Sequence, residues 1–286
     1  MCGAAWLFPI LTVPGIVKPS PPVSLKPPVA ITRQAPAQTP PQSPTPQPTT
    51  STPGREYFIS WGYNGDSYAK SDLHISQPGL GNDFTLASVQ IRDSKGWTDG
   101  LFAHALTVPQ YNFRFGMFFN EKWGVEVVLD HIKWIVREDQ TVRMTGTLNG
   151  EAVDGDVTLT ADVLRYQLNN GANPIFINLI RRVHLAGERG RFGHFVFLGK
   201  AGGGVAIPHT ENTLFGQPND KGFQPFKGWN LDAAAAVRLD LWKGLYFEFE
   251  EKLLYARYYG VKVDQGEARH NVKAAEFNWN FGWVFR

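Results

Sequence analysis

The chain has 286 residues, 28 basic and 26 acidic side chains, 43% hydrophobic residues and a single cysteine. One cysteine excludes a disulfide framework and a paired-cysteine metal site. A net charge of +2 gives no general attraction to nucleic acid. Charged residues reach only 19%, while aromatics reach 13% and glycine 29 residues, a balance that favours strands with aromatic faces over a soluble helical enzyme.

Residues 1–17, MCGAAWLFPILTVPGIV, are apolar but lack a positive leader and are broken by Pro9 and Pro14. They read as a degraded or partial secretion signal, too short for a membrane-spanning helix. Residues 18–54 form a low-complexity, proline-rich run. Residues 1–54 hold 14 of the 20 prolines and three charges, all basic, which leaves −1 for residues 55–286. Proline cannot donate to a helix or a sheet, so this arm is expected to be a disordered, polyproline-like linker. Beyond residue 54 no apolar run is long enough for a membrane helix.

Residues 55–286 carry period-two alternation, the mark of strands with two unlike faces. Eight strands are predicted at 56–66, 104–119, 123–137, 173–183, 192–205, 229–242, 245–259 and 272–285. Most match the ~10 residues that a tilted membrane strand needs. Segments 120–122, 184–191 and 243–244 are short connections. Segments 67–103, 138–172, 206–228 and, at intermediate length, 260–271 are read as polar loops. The last strand is the clearest: Phe277, Trp279, Phe281, Trp283 and Phe285 share one face, and Glu276, Asn278, Asn280 and Gly282 share the other.

The opposite parity collects charge. Arg114, Glu126, Asp130, Lys200, Asp232, Arg238, Asp240, Glu248, Glu250 and Glu276 fall on the faces that turn away from the aromatic rows. Buried singly, each would cost several kcal/mol, so a closed barrel in which they neutralise one another is the expected solution. Trp61, Trp123, Trp134, Trp229, Trp242, Trp279, Trp283 and Phe285 suit the interfacial aromatic girdles of such a barrel. Glu251 breaks the scheme. It shares parity with Leu245, Phe247 and Phe249, and only a bulge near Glu250 and Glu251 would turn it inward.

The expected fold is thus all-β: an antiparallel up-and-down transmembrane β-barrel of eight strands, with both ends and the proline-rich arm on the short-turn, periplasmic side. The aromatic last strand and the eight-strand layout resemble small outer-membrane barrels of the OmpA/OmpX kind. Their terminal strand usually ends in an aromatic, whereas here Phe285 is followed by Arg286. Residues 108–136, VPQYNFRFGMFFNEKWGVEVVLDHIKWIV, also resemble a hairpin of uncharacterised outer-membrane barrel proteins of Gram-negative bacteria. The resemblance implies a bacterial outer-membrane location, contact with lipid and lipopolysaccharide, and delivery to the barrel-assembly machinery through the C-terminal strand. It implies no activity. The arm could touch cell wall or another periplasmic partner.

Chemistry is sparse. His74 and Ser76 show the H-x-S spacing of lipid A deacylases of the PagL type; i and i+2 share a strand face, and Asp72 could orient the imidazole. HISQPG follows the first strand, however, where that family carries its motif on a later one. Asp130 and His131 are adjacent and point oppositely. His209 and Glu211 are too few ligands for a metal site. GKAGGG at 199–204 lacks the Lys-Ser/Thr ending of a phosphate loop. No cofactor and no metal are called for. Three functional classes stay open: a non-enzymatic anchor or surface-binding barrel, a lipid A-modifying barrel enzyme, and a soluble lipocalin-like binder whose aromatic faces would point inward.

Overall fold

In the computed structural model, residues 55–94, 110–168 and 171–285 are described. The expected secretion signal, the proline-rich arm and residues 104–109 of the second expected strand lie outside them, as does Arg286.

Eight long strands close a barrel: β1 (Glu56–Tyr68), β5 (Tyr111–Phe118), β6 (Trp123–His131), β11 (Pro174–Ala186), β12 (Phe195–Ala206), β15 (Gly228–Trp242), β16 (Leu245–Val263) and β17 (Gly266–Phe285). Each pairs antiparallel with the next, and β17 returns to β1 from Tyr57↔Phe285 to Tyr68↔Ala274. Closure removes every sheet edge within the wall. Both described ends, Glu56 and Phe285, lie at the end of the short turns, beside Phe118, Trp123, Trp242 and Leu245.

The three long connections fold, contrary to their reading as polar loops. They supply β2 (Ser71–Gln77), β3 (Asn82–Val89), β4 (Ile91–Asp93), β8 (Gln140–Leu148), β9 (Glu151–Leu159), β10 (Leu164–Leu168), β13 (His209–Leu214) and β14 (Gln217–Phe223), while β7 (Trp134–Val136) comes from the end of the expected strand 123–137. Strands β2, β3, β8 and β9 continue the barrel sheet from the upper part of β17, and β4, β7, β10, β13 and β14 make a second sheet. We call this part the crown. Its alternation is that of a water-facing sheet: Leu73, Ile75, Phe84, Leu86, Val142 and Met144 are buried, while most of β9 is half-buried or exposed.

The crown also accounts for where β6 ends. Ile132, Trp134, Ile135 and Val136 are apolar on both parities and, like Lys133 between them, buried, so the chain leaves the wall after His131 and enters the crown core. Trp134, expected among the girdle aromatics, is therefore 0% exposed, with its ring 5.7 Å from Tyr166 and 5.2 Å from His270.

Strands β16 and β17 run through both parts, and their inward face changes character on the way. On β17, Glu276, Asn278 and Asn280 face the lumen, then Ala274, Val272 and Ala268 face the crown core. On β16 the inward series passes from Tyr246, Glu248, Glu250 and Lys252 to Leu254, Ala256, Tyr258, Val261 and Val263. The outward face changes in the reverse sense. It is aromatic from Phe285 up to Phe277, then polar at Lys273, Asn271 and Arg269. A register shift between Tyr258 and Val261, with Gly260 at φ +59°, bends β16 above this change.

Candidate functional site

The barrel interior is layered. At the short-turn end an apolar plug of Phe58, Phe118, Ile180, Val196, Leu198, Ala236 and Tyr246 fills the bore. Arg238 lies over the Tyr246 ring at 3.9 Å from its centroid. Parity alone places these groups inside, because each shares its face with the charged residues of the same strand.

Above the plug sits an ion network. Arg114 reaches Glu248 Oε1 at 3.0 Å and Glu250 Oε1 at 2.6 Å. Lys200 reaches Glu248 and Glu250 at 2.7 Å each and Glu126 at 3.3 Å. Arg238 closes on Glu248 at 2.9 Å. All of these side chains are buried, so the network needs every partner: removing one leaves an uncompensated ion out of water.

Higher still the balance shifts to acid. Lys252 pairs with Asp130 and with Glu276, the latter at 3.0 Å. Asp66 lies directly across the ladder from Glu276, and Asp232 takes a 2.9 Å hydrogen bond from Asn178. One lysine thus serves four carboxylates among the described residues of this layer. Both oxygens of Asp66, Oδ1 of Asp130 and Oε2 of Glu276 have no hydrogen-bond partner.

The structure brings nine of the ten expected lumen charges into the bore. Asp240 is the correction. Asp240 stays on the ladder opposite Tyr246, just before the register shift at Trp242, and lies at the mouth beyond the ion network, where it accepts from Gly190 and meets His194 Nδ1 at 2.7 Å. Sequence reasoning missed Asp66, Lys252 and the mouth pair of Arg182 with Glu56. Lys252 was recoverable, since it shares parity with Glu248 and Glu250. Arg182, beside the 184–191 connection, is 5% exposed and lies over the Phe118 ring at 3.8 Å. A recess of 340 Å³ opens at this mouth, between Glu56, Arg189, His194 and Lys243.

Outside, the barrel is apolar. Trp61, Phe113, Phe115, Val127, Ile177, Leu179, Leu231, Val237, Phe249, Leu253, Trp279, Phe281, Trp283 and Phe285 are all exposed. Trp123, Trp242, Trp283 and Phe285 lie toward the short-turn end; Trp229, 5.4 Å from Tyr255, lies toward the crown. This distribution overturns the lipocalin-like alternative, which needs aromatics within and charges without. A charged, filled bore inside an apolar wall is the pattern of a membrane-spanning barrel.

Glu251 stays on the apolar outside. The ladder is regular there, with Ala235↔Glu251 and Glu251↔Phe277, so the bulge invoked to turn it inward does not occur. Arg181, on the same row two strands beyond Ala235, also faces out, 4.9 Å from the Trp123 ring centre.

The candidate residues His74, Ser76 and Asp72 do not come together. His74 Nε2 is 2.7 Å from Asp83, across the β2–β3 ladder, and Asp72 accepts from the Ser88 amide at 2.8 Å. Among the described residues no contact joins His74 to Ser76. A different hydroxyl and imidazole do meet: Ser71 Oγ lies 2.8 Å from His270 Nε2. Among the described residues the Nδ1 of that buried ring has no hydrogen-bond partner, so there the pair lacks the third member of a nucleophilic triad. His131, adjacent to Asp130, turns away from it to Asn173 at 2.7 Å. The glycines of 199–204 pack the wall: a Cβ on Gly202 would stand 2.1 Å from the Ile177 carbonyl oxygen.

No family model matches the chain, and no curated protein matches it. Among solved structures it is similar to Ail, the attachment invasion locus protein of Yersinia pestis, in complex with the heparin analogue sucrose octasulfate, at 14% identity and TM-score 0.31, over 81% of this chain and 99% of that one. It is similar to the outer membrane protein OprG from Pseudomonas aeruginosa at 14% identity and TM-score 0.35, over 82% and 97%. It is also similar to the outer membrane protein AlkL at 10% identity and TM-score 0.38, over 86% and 97%.

Proposed function

We propose that the chain is a sealed barrel of the bacterial outer membrane that anchors a folded, water-facing crown and presents it for binding. The observation that carries this reading is the pair of opposite patterns within one wall. The bore is filled by paired ions and an apolar plug, while the belt outside it is aromatic. Eight strands enclose an interior just wide enough for side chains to fill, so a diffusion pore is not expected. The crown lies on the side of the long connections, which in outer-membrane barrels is the extracellular side. Lipid and lipopolysaccharide then cover the belt, with Trp123, Trp242, Trp283 and Phe285 at one interface and Trp229 nearer the other.

The described chain enters the barrel at Glu56 on the short-turn side, which in outer-membrane barrels faces the periplasm. Assembly would use the C-terminal strand, with its aromatic face ending at Phe285. The dispersal of His74, Ser76 and Asp72 among different partners weighs against a lipid A-modifying enzyme.

Electrophoresis of the outer-membrane fraction tests location: a folded barrel should resist cold SDS and shift mobility on boiling. Recovery as a soluble protein with no shift would refute the reading. In planar bilayers the sealed bore should give no steady ion conductance.

A further inference from the structure

The hairpin of β13 and β14 joins through Phe215 and Gly216, both at positive φ (47° and 77°), the two-residue turn that matches strand twist. From that turn the register sets Glu211 directly opposite Asp220, then shifts so that His209 faces Phe223. The shift adds one residue to β14, and Gly222 at φ +60° absorbs it. As a result three side chains from different register positions converge. His209 Nε2 lies 2.7 Å from Asp220 Oδ1, and the ligand atoms of His209, Glu211 and Asp220 all lie within 4.8 Å of one another.

Two carboxylates directly opposed on a ladder repel, which destabilises a hairpin unless a cation stands between them. Here each carboxylate is also held from behind. Gln167 Nε2, on β10, donates to Glu211 Oε2 at 3.0 Å, and the Gly222 amide donates to Asp220 Oδ1 at 2.8 Å. The Phe223 and His209 ring centres lie 4.8 Å apart with the planes at 72°, an edge-to-face contact that holds the imidazole plane. Outer contacts of this sort orient metal ligands.

We propose that His209, Glu211 and Asp220 form a binding site for a first-row divalent transition ion of the Zn²⁺ type. Bonds of about 2.0–2.2 Å to one nitrogen and two oxygens require ligand atoms roughly 3–4 Å apart, which the cluster approaches with rotamer changes only. The imidazole favours such an ion over Mg²⁺ or Ca²⁺. Three protein ligands leave further positions for water, and Glu211 and Asp220 border an open groove with Arg165 and Gln167, so the ion stays accessible. The site stands on the crown alone and does not depend on what surrounds the barrel.

The test uses the full chain folded in detergent micelles at neutral pH. ZnCl₂ is titrated by calorimetry, and CoCl₂ is followed by its visible ligand-field absorption. One saturable equivalent is expected, with a cobalt spectrum that includes nitrogen ligation. His209→Ala and the near-isosteric Asp220→Asn should each weaken binding at least about tenfold, and Gln167→Ala by less. Asp154→Asn, on the exposed face of β9, should bind as the parent does. An unchanged heat-induced mobility shift in every variant shows that the barrel has folded. No saturable heat would overturn the proposal, as would affinity unaltered by His209→Ala or equal preference for CaCl₂.

Discussion

Barrel and crown share one sheet, to which the crown adds a second, yet they are opposite in polarity. The barrel places Arg114, Lys200, Glu248 and Glu250 inside and Trp279, Phe281 and Phe249 outside. The crown places Leu73, Ile75, Trp134 and Val142 inside and leaves β9 and β14 largely facing outward with polar residues. The reversal falls on β17 between Lys273 and Phe277 and on β16 between Lys252 and Arg257, near the Trp229–Tyr255 pair. A sheet has no polarity preference of its own. Which face takes the apolar residues is dictated by the medium outside, and the change of sign along single strands marks where that medium changes from hydrocarbon to water.

The comparison can be broken at several points. The largest effect is expected at Lys252→Met, which leaves Asp130 and Glu276 buried without their cation. Breaking a buried pair typically costs about 3–5 kcal/mol, and two carboxylates are affected here. Urea denaturation in lipid vesicles should show the whole barrel destabilised. Trp134→Ala should cost a comparable ~3–5 kcal/mol through the cavity it leaves, but only in the crown. Limited proteolysis should then cut within residues 138–168 while the heat-induced mobility shift of the barrel persists.

On the lipid face, Phe281→Lys should cost about 2–4 kcal/mol, the usual penalty for a lysine at mid-bilayer. An equally sized charge change at Asn271, above the reversal, should be nearly silent in the same vesicle titration. Glu251→Leu is the smallest and runs the other way. It should stabilise the barrel by about 1 kcal/mol in vesicles, because it removes a carboxylate from the apolar belt. A loss of stability on that substitution would mean Glu251 has a favourable partner in the membrane.

The two regions were not equally legible in the sequence. The eight wall strands announce themselves because long, strict alternation is needed wherever one face meets lipid and the other a packed bore. The lumen charges followed from the same parity. The crown was hidden because its strands are short, several hold polar residues on both parities, and their pairing joins segments far apart in sequence, such as β3 with β8. Trp134 misled for a related reason: in a run apolar on both parities, period carries no information about direction. Glu251 was assigned a bulge to protect the register, but the ladder tolerates the exception. The convergence of His209, Glu211 and Asp220 depends on a hairpin register and a shift at Gly222 that no spacing rule displays.

The most direct measurement is cysteine accessibility along β17 in outer-membrane vesicles. Single substitutions Arg269→Cys, Asn271→Cys, Phe277→Cys, Trp279→Cys and Phe281→Cys would be made in a Cys2→Ser background and exposed to a charged, membrane-impermeant thiol reagent. The account predicts fast labelling at positions 269 and 271 and protection from 277 to 281, lifted when the barrel is unfolded. Uniform labelling along the strand would contradict it, because the aromatic face would then be meeting water.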